Sequence, residues 1–451
     1  MTDAQGKIKK FILYAGDIIL LYAVLALVLL VRYQDKFSGY LWQLHLLPFT
    51  IIFVVWLAVF YISGLYDTKT LRNGIDFYTL VFKTVLLNAI LAVFYFYVFS
   101  NLLFTIRPLL VFATYLAFFS VLFLFWRRTY NHLTESQIFL QRVLCIGDGA
   151  DMKNLIEELG HKPHFGYRVV AHVPAQELQG KFLSLKALLA EKKIDTVITS
   201  LELNKYPELV AEFYKNLFLG VKYVDLAAFY EKITGRVPIS TIGQLWFLEN
   251  ISENDKKYYE FVKRALEVIL AMMFCAIGII FSPFIALAIK LNSAGPIFFM
   301  QDRIGKDGKK FKAAKFRTML TGADREGPRW TAVNDPRVTQ VGRFLRKTKL
   351  DEIPQLVNIL RGEMSFIGPR PEQPEFVREL TQKIPYYNER HLAKPGLTGW
   401  AQINFPESGA SEQDTIIKLQ YDLFYIKNRS LLLDLGIILK TVNIILTGQG
   451  R

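Results

Sequence analysis

Four apolar stretches in the first 130 residues constrain this chain more than any other feature: Phe11–Val31, Leu44–Ser63, Thr79–Ser100 and Pro108–Trp126. Each is close to the roughly 20 residues that a helix needs to cross a bilayer. In hydrocarbon the backbone must satisfy its own polar groups, so helices are the expected form. The first stretch is too long for a signal-peptide core and lacks a small-residue cleavage site, so it is expected in the mature protein. Lys7, Lys9 and Lys10 precede the first stretch, Lys69 and Arg72 lie between the second and third, and Arg127 and Arg128 follow the fourth. The other loops carry Arg32, Lys36 and Arg107. This bias puts both ends of a four-helix transmembrane domain, residues 1–130, on the cytoplasmic side. Asp17 and Lys83 fall inside spans at similar depth, where they either pair or snorkel separately to the interface.

The remaining length leaves room for one or two further domains in a chain of 451 residues. With 54 Lys+Arg against 40 Asp+Glu, the net charge is +14. Such an excess selects anionic partners. Beside membrane segments these are lipid headgroups and phosphorylated substrates, not nucleic acid. Cys145 and Cys275 are the only cysteines, which excludes a disulfide framework or a cysteine-based zinc site.

Residues 139–250 read as a Rossmann-like α/β domain. Strands are expected at Arg142–Ile146, Tyr167–Val173, Thr196–Ser200 and Val221–Asp225, with helices at Leu185–Ala190 and Glu208–Leu219. Their alternation implies a parallel sheet. Gly147-Asp148-Gly149 is followed by Ala150 and Asp151, without the third glycine of a dinucleotide fingerprint. The second strand ends at Ala171-His172-Val173, with no carboxylate placed for a ribose. A plain tight turn is the favoured reading.

The last region, residues 256–451, opens with another apolar element over 261–291. Ser282-Pro283 interrupts it, and proline removes a backbone hydrogen bond. Basic residues flank both ends, from Lys256 and Lys257 to Lys312 and Lys315. A crossing would put one basic cluster outside. A helix that enters, breaks at Ser282-Pro283 and returns to the same face is therefore expected, leaving the following domain in the cytoplasm. Ser430–Leu446 is apolar but carries Asp434 and Lys440, which suits an interfacial helix.

Four polar clusters lie between these elements. Lys315-Phe316-Arg317-Thr318-Met319 ends a short amphipathic run. Asn334-Asp335-Pro336-Arg337 forms a turn before a helix whose apolar face is Val338, Val341, Phe344 and Leu345. In Lys349-Leu350-Asp351-Glu352-Ile353-Pro354-Gln355-Leu356, proline is tolerated only in a first turn, so a helix starts near Asp351 or Glu352. An acid there meets the positive helix end, with Arg346 and Lys349 favouring its ionised form. That form is the one needed to attack phosphorus, and Glu352 offers a second hard oxygen for Mg²⁺ shared with a diphosphate. The same acids also suit helix caps, and both roles stay open here. Arg370, between two prolines in Gly368-Pro369-Arg370-Pro371, is either a phosphate ligand or an exposed turn residue. Lys315, Arg317 and Arg346 are either ligands of the same kind or solvated surface.

From about Tyr259 onward the chain resembles the bacterial sugar transferases, the monotopic polyprenyl-phosphate phosphoglycosyltransferases. The resemblance is carried by Ser282-Pro283, the Lys315–Met319 run, Asp335-Pro336-Arg337 and Leu350–Leu356 with Asn358. It continues through Met364–Pro371, Lys394–Gln402 and Tyr421-Asp422. Gly362-Glu363 departs from the usual Gly-Asp, and Lys349 from a common serine. With four spans and a Rossmann-like insert ahead, the whole chain resembles the large form of that family, whose last domain is mostly α-helical.

The resemblance implies transfer of a sugar-1-phosphate from a UDP-sugar to polyprenyl phosphate, in two steps through Asp351, releasing UMP. It implies Mg²⁺ held by Asp351 and Glu352, phosphates bound by Arg370 and Arg346, and Lys315, Arg317 and Asp422 near the site. It also implies a multi-pass enzyme of the bacterial inner membrane that meets membrane lipids and works on the cytoplasmic face in exopolysaccharide, capsule or O-antigen synthesis; a homodimer is allowed. Two rivals remain. One is a membrane-anchored NAD-dependent nucleotide-sugar dehydratase, for which Tyr259 and Lys263 have the right spacing. The other is a non-enzymatic scaffold for polysaccharide assembly.

Overall fold

The computed structural model describes residues 4–66, 75–103, 108–135, 140–161, 165–178, 185–201, 205–252, 256–323, 335–406, 409 and 411–447. Lys69, Arg72, Arg107 and Asn334 lie outside the described residues. The chain is mostly helical and divides into two compact units, one comprising 1–148 with 153–223, the other 149–152 with 224–451.

The first unit begins with four apolar helices: α1 (Ala4–Tyr33), α2 (Gly39–Ile62), α3 (Ile75–Leu103) and α4 (Pro108–Glu135). Each contains a stretch long and apolar enough to cross a membrane. Aromatic rings fill their shared core, with Trp56 beside Tyr115 and Phe119, and Phe60 stacked on Phe123. The suggested pairing of Asp17 with Lys83 does not occur. Asp17 instead accepts Arg127 Nη2 at 2.6 Å and Trp126 Nε1 at 3.0 Å, and both members of the ion pair are wholly buried. Lys83 is exposed. Depth along the sequence matched the wrong cation because α1 packs along α4, which brings Arg127 inward under the rings of Tyr66 and Phe123.

The sheet of this unit contains β1 (Gln141–Ile146), β2 (Tyr167–Val173), β3 (Thr196–Thr199) and β4 (Lys222–Asp225), in the order β2-β1-β3-β4. Strand β1 pairs in parallel with both β2 and β3. Helices α5 (Ala150–His161), α6 (Ala175–Leu178), α7 (Leu185–Glu191) and α8 (Pro207–Lys215) separate the strands. In the turn after β1, a Cβ on Gly147 would lie 2.2 Å from Ser200 Oγ, which donates to the Asp148 carbonyl. The protein's own side chains thus fill the space above that turn.

The second unit begins earlier than the expected domain boundary near residue 250. Helices α9 (Leu226–Thr234) and α10 (Gln244–Asn250) belong to it. Ala227, Val237, Ile239 and Ile242 share a core with Val377, Ile384, Tyr387 and Leu423. A burial partner this far along the chain leaves no local trace in strand–helix alternation.

Helix α11 (Lys257–Asn292) follows. Ser282-Pro283, where a break and return are expected, lie inside this helix. One lost proline N–H does not end so long a helix, and Ser282 Oγ donates to the Gly278 carbonyl at 2.7 Å. Its 36 residues amount to about 54 Å measured along the helical path. Both halves pack on the same domain. Ala271 and Cys275 meet Phe311, Leu356 and Ile359, while Ile285 and Ile289 meet Phe316 and Leu345. The opposite side exposes Phe261, Ile269, Met273, Ile280 and Leu287. The helix is therefore a greasy rail along which the domain is built, and it is itself long and apolar enough to cross.

The rest is compact. Strands β5 (Phe298–Ile304) and β6 (Lys310–Phe316) form an antiparallel hairpin. Next come α12 (Gln340–Thr348), a 3-10 turn over Leu350–Gln355, and α13 (Leu356–Arg361). Strands β7 (Ser365–Ile367) and β8 (Gly396–Thr398) pair in parallel around α14 (Pro374–Lys383), and α15 (Trp400–Asn404), α16 (Glu412–Asn428) and α17 (Leu431–Thr447) complete the unit. Lys263 of α11 reaches the Asp434 carboxylate at 3.1 Å, Tyr425 Oη at 2.8 Å, Tyr259 Oη at 3.2 Å and the Ile367 carbonyl at 2.8 Å. The Tyr259–Lys263 spacing thus serves to tie α11 to α16, α17 and β7.

Arg127→Ala should destabilise the first unit by about 3–5 kcal/mol, because it strands a buried carboxylate. The pair Asp17→Leu with Arg127→Met should cost much less than the sum of its single changes. Lys83→Met should stay within about 0.5 kcal/mol. Thermal unfolding in detergent, arranged as a double-mutant cycle, checks all three.

Candidate active site

The 3-10 turn that carries Asp351 and Glu352 is set up by its neighbours. Lys349 adopts a left-handed conformation, φ 58°, and separates α12 from the turn. Asn358 in α13 then clamps the segment to β6, accepting from Ala314 N at 3.2 Å and donating to the Lys312 carbonyl at 2.8 Å. The same amide donates to Glu363 at 2.7 Å, so the unusual Glu363 still braces the turn. Lys315 on β6 is thereby delivered to Glu352.

The two acids have different surroundings. Glu352 Oε1 accepts from Lys315 Nζ at 3.0 Å and from Arg370 Nη2 at 3.3 Å. Asp351 is 6% exposed, and its Oδ1 is buried without a hydrogen-bond partner. Neither acid caps a helix: the residue ahead of the turn is Lys349, and no side chain caps it. Burial, joined by the Glu352 charge, pushes the Asp351 carboxyl above its usual range, against the pull of Lys315, Lys349 and Arg346. The expectation that nearby cations hold Asp351 ionised has the right sign for those cations and omits the larger cost of burial. For Glu352 burial acts upward too, yet Lys315, Arg370 and Lys349 outweigh it and hold that carboxyl well below its usual range.

Arg370 is presented by backbone that only glycines allow. A Cβ on Gly368 would lie 2.1 Å from the Lys394 carbonyl oxygen, and one on Gly399 would lie 2.2 Å from the Gly368 carbonyl oxygen. These contacts explain why the motifs at 364–371 and 394–402 occur together: β7 and β8 are their paired halves. The Arg370 carbonyl accepts from Arg390 Nη2 at 2.9 Å, and Arg390 also binds Asp422 at 2.8 Å. Burial drives the Asp422 carboxyl up to about 6, with Arg390 opposing it.

One cavity of about 1690 Å³ gathers the charged side chains. Lys315, Arg317, Arg346 and Arg370 reach it, as do Asp351, Glu352 and Asp422. Arg317 is 6% exposed and donates to Ser293, while its Nε and Nη1 are buried without partners. Arg346 donates to Thr318 Oγ1 at 2.8 Å. A buried guanidinium with idle donors suits an incoming anion. Ser282 and Pro283 are absent from this lining. Sequence reading missed Arg303, which donates to the Pro371 carbonyl at 2.9 Å, and Arg390. Arg303 sits in an ordinary strand and Arg390 in a 3-10 turn, so neither carries a motif.

Among the described residues, no three His, Cys, Asp or Glu side chains gather as a metal cage. The donor set fits Mg²⁺ in its other mode, held by one or two carboxylates, substrate phosphates and water. The idle Asp351 oxygen beside Glu352 matches that mode.

A sequence model described as bacterial sugar transferase matches residues 258–448. A UDP-N-acetylgalactosamine-undecaprenyl-phosphate N-acetylgalactosaminephosphotransferase from Aeromonas hydrophila is 38% identical over 54% of this chain and 62% of its own length. A UDP-glucose:undecaprenyl-phosphate glucose-1-phosphate transferase from Escherichia coli is 44% identical over 40% of this chain, which spans 39% of that relative. The protein of the same description from Xanthomonas campestris is 32% identical over 69% of this chain and 68% of its own length. With likeness extending that far beyond the catalytic region, the chain belongs to the bacterial sugar transferase family.

Proposed function

We propose that this chain transfers a sugar-1-phosphate from a UDP-sugar to polyprenyl phosphate at Asp351. The observation that carries this reading is the idle, buried Asp351 oxygen in a cavity lined by cations and flanked by a carboxylate already neutralised by Lys315 and Arg370. In the first step, ionised Asp351 attacks the β-phosphorus and the bond from that phosphorus to the bridging oxygen breaks. UMP leaves with the bond's electron pair, and a phosphosugar remains on the carboxylate. In the second, a phosphate oxygen of the lipid attacks the same phosphorus, the bond to Asp351 breaks, and the carboxylate is restored. Arg317, Arg346 and Arg370 hold phosphate oxygens against the charge that builds up. Bound Mg²⁺, held by Asp351 and Glu352, would neutralise diphosphate charge.

In this reading the chain works in the bacterial inner membrane, with the Rossmann-like sheet and the active site on the cytoplasmic face; the four apolar helices support the membrane part of it. The long helix would lie in that face without emerging on the other side, since both its halves pack on the domain. A dehydratase is disfavoured by the committed Tyr259–Lys263 network and the filled turn at Gly147. A scaffold would have no use for the idle Asp351.

Asp351→Asn should lower UMP release by at least about 10³-fold while leaving the fold intact; UMP release assayed across a panel of UDP-sugars checks it, and undiminished release would remove the reading. The donor step needs ionised Asp351, whose carboxyl is raised, so its rate should fall as pH drops through a value above the ordinary aspartate range. Glu352→Gln removes one upward influence and should move that acid limb to lower pH, while also lowering the rate, as a stopped-time pH profile will show. Chelation of divalent cations should halt the donor step, and Mg²⁺ should restore it, measured by the same UMP assay.

A further inference from the structure

The cavity around Asp351 does not end among charged groups. Two helices form its apolar part, each with a single face. On α11 the lining residues are Phe274, Ile277, Gly278, Phe281, Phe284 and Ile285, which recur at helical spacing. On α17 they are Ile438, Thr441, Val442, Ile444 and Ile445, of which 438, 441, 442 and 445 recur at helical spacing. Phe281, Phe284, Ile438, Val442 and Ile445 all remain exposed. Two bare apolar faces lining the same cavity as the cationic site form a compartment for one kind of ligand. It must have an anionic head and a long apolar tail.

α11 is packed on the turn that bears Asp351, and α17 is fastened to β8 and α11. A Cβ on Gly278 would lie 2.9 Å from Ile353 Cγ2, so α11 crosses that turn at contact distance. Thr441 Oγ1 lies 2.8 Å from Thr398 Oγ1 on β8, and Asp434 holds Lys263. We infer that the apolar part of the cavity, lined by α11 and α17, seats the first isoprene units of the lipid acceptor, with α17 as the wall that selects it. This rests on the acceptor proposed above. From Ile438 to Ile445 the wall runs about 10 Å, enough for the head of the chain, with the remainder left in the bilayer. A diacyl phospholipid does not suit the cleft's charged end, because its phosphate is esterified on both sides and has no free terminus to attack phosphorus.

The test uses the full chain in detergent with two separate readouts. One is uptake of label from the UDP-sugar onto the protein without acceptor; the other is transfer to undecaprenyl phosphate. Ile438→Trp and Val442→Trp should raise the acceptor KM by about tenfold or more, with label uptake within about twofold of wild type. Val442→Ala, which introduces no clash, should shift the KM in the same direction. Leu432→Trp, on the exposed side of α17 and outside the cavity, should change neither readout. An unchanged acceptor KM in the cavity variants, with uptake intact, overturns the inference. So does an equal loss in Leu432→Trp, which would make α17 a general bilayer anchor. Failure of the wild-type protein to take up label at all would instead overturn the function proposed above.

Discussion

The sharing of Glu352 between Lys315 and Arg370 organises the second unit. Those two cations come from distant parts of the chain, one from the β5–β6 hairpin and one from the loop after β7, and they meet on one carboxylate oxygen. That oxygen neutralises charge that would otherwise fall on Asp351. Asp351 is left with a raised carboxyl and an idle oxygen, so the two adjacent acids have opposite electrostatic fates. Adjacent carboxylates driven apart in this way are a common mark of divided chemical labour.

Around this pair the domain supplies rigidity by two means. Backbone approaches at Gly368, Gly396 and Gly399 bring β7 and β8 together so tightly that no side chain fits between them. The Lys263 network then fastens β7 to α11 and α17. Arg390 extends the bracing by holding the Arg370 carbonyl and the buried Asp422 at once. The long apolar helix is thus a structural partner of the site.

Much of this was legible in the sequence. The apolar helices were readable because the length of an apolar run follows bilayer thickness. The strands at Arg142–Ile146 and Tyr167–Val173 were readable because their flanking turns and helices are strongly patterned. Asp351, Glu352 and Arg370 stood out because prolines fix the backbone beside them. Partner choice was not legible. Asp17 selected Arg127 over Lys83 through helix packing, and Val237 and Ile239 selected Ile384 and Tyr387. Arg303 and Arg390 act on backbone carbonyls far away in sequence, and no local spacing records such contacts.

The central claim is that Asp351 becomes esterified during turnover. Acid-quenched protein, incubated with UDP-sugar in the absence of lipid and then digested, can be weighed by mass spectrometry. A phosphohexose increment on the peptide bearing Asp351, lost when polyprenyl phosphate is added before the quench, is the predicted result. UMP release with no such increment, at a time resolution that captures the first turnover, would contradict the account.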